Sequence, residues 1–310
     1  MSNKSKRRNL PGVGRRGFIQ AATLAGATAL TPPLVAEAAP IAPDVAAKIA
    51  GPPQLAEERT MSDVELAIRD LVIANRVLAH ENVVDAYGHV SMRHPHNPER
   101  YLLSRSRAPE LIEVGDIVEY TLDGESANGD KRPPYLERFI HGAIYEARPD
   151  VHAVVHAHSV EVLPFSISTT RLRPVIHDGA FIGAEVPVWD IADKFGHETD
   201  LLVSNMAQGR DLARRLGSNS MALMRGHGFA AAAPSLYEVV RLAVYAPRNA
   251  HVLQAALLLG GKMKPLSKGE IRTRVEGPTL KPNTAAAQRA WEYWAQRAGV
   301  SDLLPPRPTK

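Results

Sequence analysis

Four residues carry the chemistry that this sequence can do: Glu137, His156, His158 and His227, the middle pair in the stretch Val151-His152-Ala153-Val154-Val155-His156-Ala157-His158. Three imidazoles can hold one divalent cation and still leave coordination positions for a substrate, as catalytic metal sites require. The chain contains no cysteine, so any metal must rest on imidazole and carboxylate. His227 sits in Met224-Arg225-Gly226-His227-Gly228, where flanking glycines allow a close backbone approach. Glu137 could ligate the metal or move protons. Taken singly, a His-x-His pair is more often two satisfied polar residues, and a glycine-flanked histidine is usually a plain turn. The combination points to a metal.

Positioning these groups requires particular elements. A strand from Val151 to His158 has a period of two, which places His156 and His158 on one face. A helix from about Leu136 to Ala147, stopped near Arg148-Pro149-Asp150, packs back onto that strand and brings Glu137 near it. Apolar spacing predicts an earlier helix from Asp63 to His80, with Asp63 at its N-terminus. Short strands are expected at Gly88–Met92, Tyr101–Ser104, Ile117–Leu122, Ala222–Met224 and Phe229–Ala232. A long helix from Ser235 to Leu259 opens on a Ser235/Glu238 capping box, and Pro247 predicts a kink or break near Ala246. A short helix carrying Trp291 and Trp294 follows Asn283. This order of mixed elements predicts one α/β domain over residues 61–265, with a C-terminal extension over 266–310.

The 310 residues are 45% hydrophobic and 23% charged, as in an ordinary folded domain. The net charge is +4, but the first 38 residues hold six bases and one acid. That leaves the remainder at 4 − 5 = −1. The electrostatic footprint of a nucleic-acid binder is therefore missing from the folded part. The leader has a basic start, Gly14-Arg15-Arg16-Gly17-Phe18-Ile19, an apolar run from Ala21 to Leu30, and Ala36-Glu37-Ala38. It reads as a twin-arginine signal over 1–38, cleaved after Ala38, followed by a Pro- and Ala-rich linker over 39–60. An amphipathic or membrane-anchoring start is the other reading. The run is too short and too rich in Ala, Gly and Thr to span a bilayer, which takes roughly 20 apolar residues. The expectation is an exported, periplasmic protein without a membrane partner.

Glu137, His156 and His158, with Phe139-Ile140-His141-Gly142-Ala143-Ile144-Tyr145, Arg148-Pro149-Asp150-Val151 and Leu223-Met224-Arg225-Gly226-His227-Gly228, resemble the core motifs of the class II aldolase/adducin family. The likeness runs over roughly residues 62–262. It implies a three-layer αβα fold around a central mixed, largely antiparallel sheet. It also implies zinc or manganese (iron or cobalt as alternatives) on His156, His158 and His227, Glu137 as acid/base, and a homotetramer with sites at subunit interfaces. Aldolases of this family grip phosphate with a Ser-Ser pair before the glutamate and a Gly-Asn turn. Here those positions read Tyr135-Leu136 and Gly88-His89. This departure argues for a non-phosphorylated, aromatic carboxylic acid as the small-molecule substrate. Gly88–Ser91, Tyr101–Arg107 and Met224–Gly228 look most like the family's decarboxylase branch, which acts on acids such as hydroxy-methylpyridine dicarboxylate.

Around that centre, Arg105 with Ser104 and Ser106 could clamp a substrate carboxylate, Arg107 less so; loop surface charge is the alternative. His89 takes a substrate-contacting family position. Tyr245 could donate a proton from a neighbouring subunit, as tyrosines do in the aldolases, or simply pack in the core. His141 is expected to orient Glu137 or to pack, His177 to border the pocket, and His152 to stay out of the ligand set. His94, His96, His197 and His251 read as solvent-facing or structural. The reaction expected is carbon–carbon cleavage through a stabilised enolate, with decarboxylation first. An aldolase acting on a hydroxy-keto acid, a non-haem iron oxygenase and a non-catalytic adducin-like module are the alternatives.

Overall fold

A computed structural model describes residues 61–278 and 281–305. The expected signal and linker, 1–38 and 39–60, lie outside the described residues.

The described residues open with α1 (Asp63–His80), which begins at Asp63 as expected and is capped by Ser62. The Ser62 hydroxyl accepts the Glu65 amide at 3.2 Å while the Glu65 carboxylate takes the Ser62 amide at 2.9 Å, a reciprocal capping box. Then follow β1 (His89–His94), β2 (Asn97–Ser104) and β3 (Ile117–Thr121), α2 (Arg138–Ala147) and β4 (Ala153–Ala157). Two short helices, α3 (Leu163–Ser166) and α4 (Ala192–Phe195), flank the two-residue β5 (Val188–Trp189). Next come α5 (Met206–Leu216), β6 (Met221–Met224), β7 (Gly228–Ala233), α6 (Leu236–Leu259), α7 (Lys268–Glu276) and α8 (Ala285–Arg297).

The seven strands form one sheet in the order β3-β2-β1-β4-β7-β6-β5. Every pairing is antiparallel except β5 with β6. The sheet is therefore mixed and largely antiparallel, with a hydrophobic core on each face. Ala153, Val155 and Ala157 of β4 join one core with Leu71 of α1, Val240 of α6 and Trp294 of α8. Val154 joins the other, with Ile140 of α2 and Leu212 of α5. Strand periodicity puts buried His156 on the α2 face with Val154. Helices on both sides of the sheet make the αβα sandwich.

α6 runs unbroken through Pro247, so the expected break is absent. Its capping box is only half made: the Ser235 hydroxyl accepts the Glu238 amide at 3.2 Å, but the Glu238 carboxylate takes the Ser235 hydroxyl, not its amide. α5 and α7 were not anticipated. α5 is capped by Asn205, whose side chain accepts the Gln208 amide. Among the described residues no helix is long and apolar enough to cross a membrane.

Candidate metal centre

His156 is the last-but-one residue of β4, and His158 lies just past the strand's end while keeping its alternation. Their Nε2 atoms are 2.9 Å apart. His156 Nδ1 donates to the carbonyl of Phe229 on β7 at 3.0 Å. That bond fixes the ring, so a neutral His156 turns a bare Nε2 lone pair inward.

His227 arrives from the turn joining β6 to β7. Gly226 there adopts φ +64°, in the left-handed region that glycine tolerates, and donates its amide to Ser166 Oγ at 3.1 Å. Gly228 packs so tightly on β4 that a Cβ would stand 2.1 Å from the Ala157 carbonyl oxygen. The result places His227 Nε2 3.0 Å from His158 Nε2. His227 Nδ1 is buried and has no partner among the described residues.

Glu137 is the N-cap residue of α2. Its Oε1 accepts the Val203 amide at 3.0 Å, which leaves Oε2 facing the imidazoles, 3.3 Å from His156 Nε2 and 3.5 Å from His227 Nε2. Burial alone would raise this carboxyl. Interactions with His156 and His227 outweigh burial and hold it well below the ordinary carboxylate range. Burial, reinforced by its two imidazole neighbours, lowers His158 to about 4.

This donor set fits a divalent cation. A tetrahedral ion with ligand bonds near 2.0–2.1 Å has donor–donor edges of about 3.3 Å. The separations of 2.9 to 3.5 Å bracket that edge. All four side chains offer ligand atoms within 4.8 Å of one another. Imidazole lone pairs turned toward one another at this spacing repel unless something positive sits between them.

The set opens into a cavity of about 440 Å³ walled by Tyr87, His89, Ser106, Arg107, Tyr135 and Leu136. His89 is the register partner of His156 across β1 and β4. The Tyr135 ring packs on His89 at 4.6 Å between centroids.

The other residues expected around the centre divide between the cavity wall and positions away from it. Arg105 does not line the cavity: its Nε is bound to Asp116 Oδ1 at 2.7 Å. Arg107 lines it instead, while its Nη1 meets the same carboxylate at 2.5 Å. Ser104 is fully buried and donates to the Tyr135 hydroxyl at 3.3 Å, so it too is off the wall, whereas Ser106 is on it. His177 is exposed beside Asp178 and does not border the cavity. His141 is fully buried, as the packing alternative expects, and binds His89 at 2.6 Å. Tyr245 lines a separate cavity with Glu81, Arg248 and Trp294, and this chain does not bring it to its own Glu137. His152 is exposed and stays out of the ligand set.

Ser91, Tyr145 and the Val203 amide escaped notice at the level of sequence. The first two carried a signal: Ser91 follows His89 by two on a strand, and Tyr145 follows His141 by four on a helix. The amide carried none, because nothing local marks a loop that will fold over Glu137.

Residues 69–253 match the family model of the class II aldolase and adducin N-terminal domain. The chain is 33% identical over 260 residues to decarboxylase tropJ of Talaromyces stipitatus, covering 77% of this chain and 96% of that protein. It is 30% identical over 248 residues to a 3,4-dihydroxyphthalate decarboxylase of Arthrobacter keyseri, covering 74% and 93%. Among solved structures, an L-fuculose 1-phosphate aldolase from Glaciozyma antarctica superposes with a TM-score of 0.60 at 22% identity, covering 77% of this chain and 94% of that one, a likeness of fold. On the matched domain and these relatives, the chain belongs to the class II aldolase/adducin family.

Proposed function

We propose that this protein is a metal-dependent decarboxylase of a non-phosphorylated aromatic hydroxy acid. The observation that carries the reading is the convergence of three imidazole Nε2 atoms and the Glu137 carboxylate beside a cavity walled by Tyr135 and Leu136. The relatives named as decarboxylases support the same reaction class. Zinc or manganese is the proposed ion, held by His156, His158 and His227. Bound there, it supplies Lewis acidity for the negative charge that develops as a carbon–carbon bond breaks.

The chain's own groups do the rest. Val203 pins Glu137 Oε1, so Oε2 is the atom that takes a proton from a substrate hydroxyl or returns one to carbon. Arg107, on the wall, binds a substrate carboxylate. Tyr135 and Leu136 shed water and stack against an aromatic ring where hydroxyl donors would have gripped phosphate. Tyr245 enters only as a donor that a neighbouring copy would bring. Export by the twin-arginine route, action in the periplasm and assembly as a homotetramer complete the proposal.

The test is to load purified protein with zinc or manganese and supply ortho-hydroxy aromatic acids, 3,4-dihydroxyphthalate first. Release of CO2 supports the reading. Aldehyde from a hydroxy-keto acid without CO2 moves the assignment to an aldolase, and oxygen uptake only with ferrous iron moves it to an oxygenase.

A further inference from the structure

A buried chain of hydrogen bonds runs from the core to the cavity wall. The Tyr145 hydroxyl lies 2.8 Å from Ser91 Oγ, Ser91 Oγ 2.6 Å from His141 Nδ1, and His141 Nε2 2.6 Å from His89 Nδ1. Tyr145, Ser91 and His141 are at most 1% exposed, and His89 is 4% exposed. A proton added to either ring puts an N–H on His141 Nδ1 that must donate to Ser91, so the hydroxyl hydrogens of Ser91 and Tyr145 decide the state of both rings.

Two polarities satisfy the ring-to-ring bond. In the first, His141 donates from Nδ1 to Ser91 and accepts from His89, which leaves His89 Nε2 as a lone pair. Ser91 and Tyr145 then share two hydroxyl hydrogens, and the only acceptors within the chain are their own two oxygens, so one hydrogen is left without a partner. In the second, Tyr145 donates to Ser91, Ser91 to His141 Nδ1, and His141 Nε2–H to His89 Nδ1. Every hydrogen is then placed. Folded proteins rarely leave a buried hydroxyl hydrogen unpaired, which selects the second polarity.

We infer that the Tyr145–Ser91–His141 chain fixes His89 as its Nε2–H tautomer, a neutral hydrogen-bond donor aimed at an acceptor-only oxygen of an anionic substrate. His89 is on the cavity wall beside Glu137 and His158, and its Nε2 has no partner among the described residues. This residue therefore cannot serve as a base: it binds a carboxylate or phenolate oxygen, and Glu137 alone is left to accept protons. Ser91, His141 and Tyr145 are positioning residues. The tautomer rests on the hydrogen-bond geometry alone; the identity of the oxygen rests on the proposed decarboxylase reading.

The experiment is nitrogen-15 NMR of the histidine side chains in the zinc-loaded protein, near neutral pH and without substrate. The expected result is a protonated Nε2 and an unprotonated Nδ1 on both His89 and His141. A His89 protonated at Nδ1 overturns the inference whatever the enzyme's activity. Ser91→Ala removes the hydroxyl that sets the polarity and is expected to give a mixture of His89 tautomers. An unchanged single tautomer in a folded Ser91→Ala protein would also overturn it. Failure to release CO2 from any aromatic acid would remove the decarboxylase reading without touching the tautomer.

Discussion

His227 Nε2 stands 3.0 Å from His158 Nε2 although the two residues are 69 apart in sequence. His156 is spent on its Nδ1 side by the Phe229 carbonyl, so only its inward Nε2 is available as a ligand. His156→Ala is expected to lose metal and turnover together. Glu137→Gln is expected to keep the metal, through the three imidazoles, and to lose turnover by about 10²–10⁴, the range for a positioned acid/base. Metal content by mass spectrometry and CO2 release are the two measurements. A Glu137→Gln enzyme with full turnover would remove the proton-transfer role.

The meeting of β4 and β7 is equally specific. Ala157 pairs with Phe229 across the ladder, and the Ala157 carbonyl oxygen stands where a Cβ on Gly228 would have to go. Backbone oxygen cannot step aside as a flexible side chain can. Gly228→Ala is expected to cost about 1–3 kcal/mol of stability, as overpacking does, and to weaken metal affinity because the displaced turn carries His227. Thermal melts with and without zinc measure both. A variant that melts and binds like the parent would show that the two strands part easily.

Much of this was legible in the sequence, and the failures have physical causes. Strand period gave the shared face of His156 and His158 because it depends only on local geometry. The start of α1 at Asp63 was legible because the apolar spacing begins there, while its cap, Ser62, is settled by reciprocal bonds with Glu65. The break that Pro247 suggested is absent because tertiary packing of α6, with Ala246, Pro247 and Ala250 buried, keeps the helix running through that residue. Arg105 and Arg107 alternate along the chain, so the sequence could not tell which would meet the cavity. Asp116 at the foot of β3 takes both guanidiniums, and the bonds to it turn Arg105 away.

That exchange between the two arginines is testable. Arg107→Met is expected to raise KM for a carboxylate substrate by about 10- to 100-fold, the loss of one charge-assisted hydrogen bond worth about 1.5–3 kcal/mol. Arg105→Met is expected to act mainly on stability, because its partner Asp116 is buried and would lose one of its two cations. Steady-state kinetics of the two variants separate the roles. An equal rise in KM for both would return Arg105 to the substrate site.

The last prediction concerns a carboxyl far from the chemistry. Asp70 on α1 lines another cavity, of about 410 Å³, with Tyr237 and Trp291, and among the described residues its side chain has no hydrogen-bond or ion-pair partner. Burial raises it from 3.8 to about 6, with only partial relief from the charge of Arg69. The folded chain thus holds this proton up to about pH 6, while the unfolded chain releases it near 3.8. Between those values the folded state binds more protons, so this group makes stability fall as pH rises, and above pH 6 the full penalty persists. It amounts to at most about 3 kcal/mol from the size of the shift. Asp70→Asn cannot ionise, so it is expected to melt several degrees higher than the parent at pH 7.5 and to lose that advantage on acidification toward pH 4. Melting curves at the two pH values decide the matter, since equal differences at both would mean that Asp70 ionises as an ordinary solvated carboxyl does.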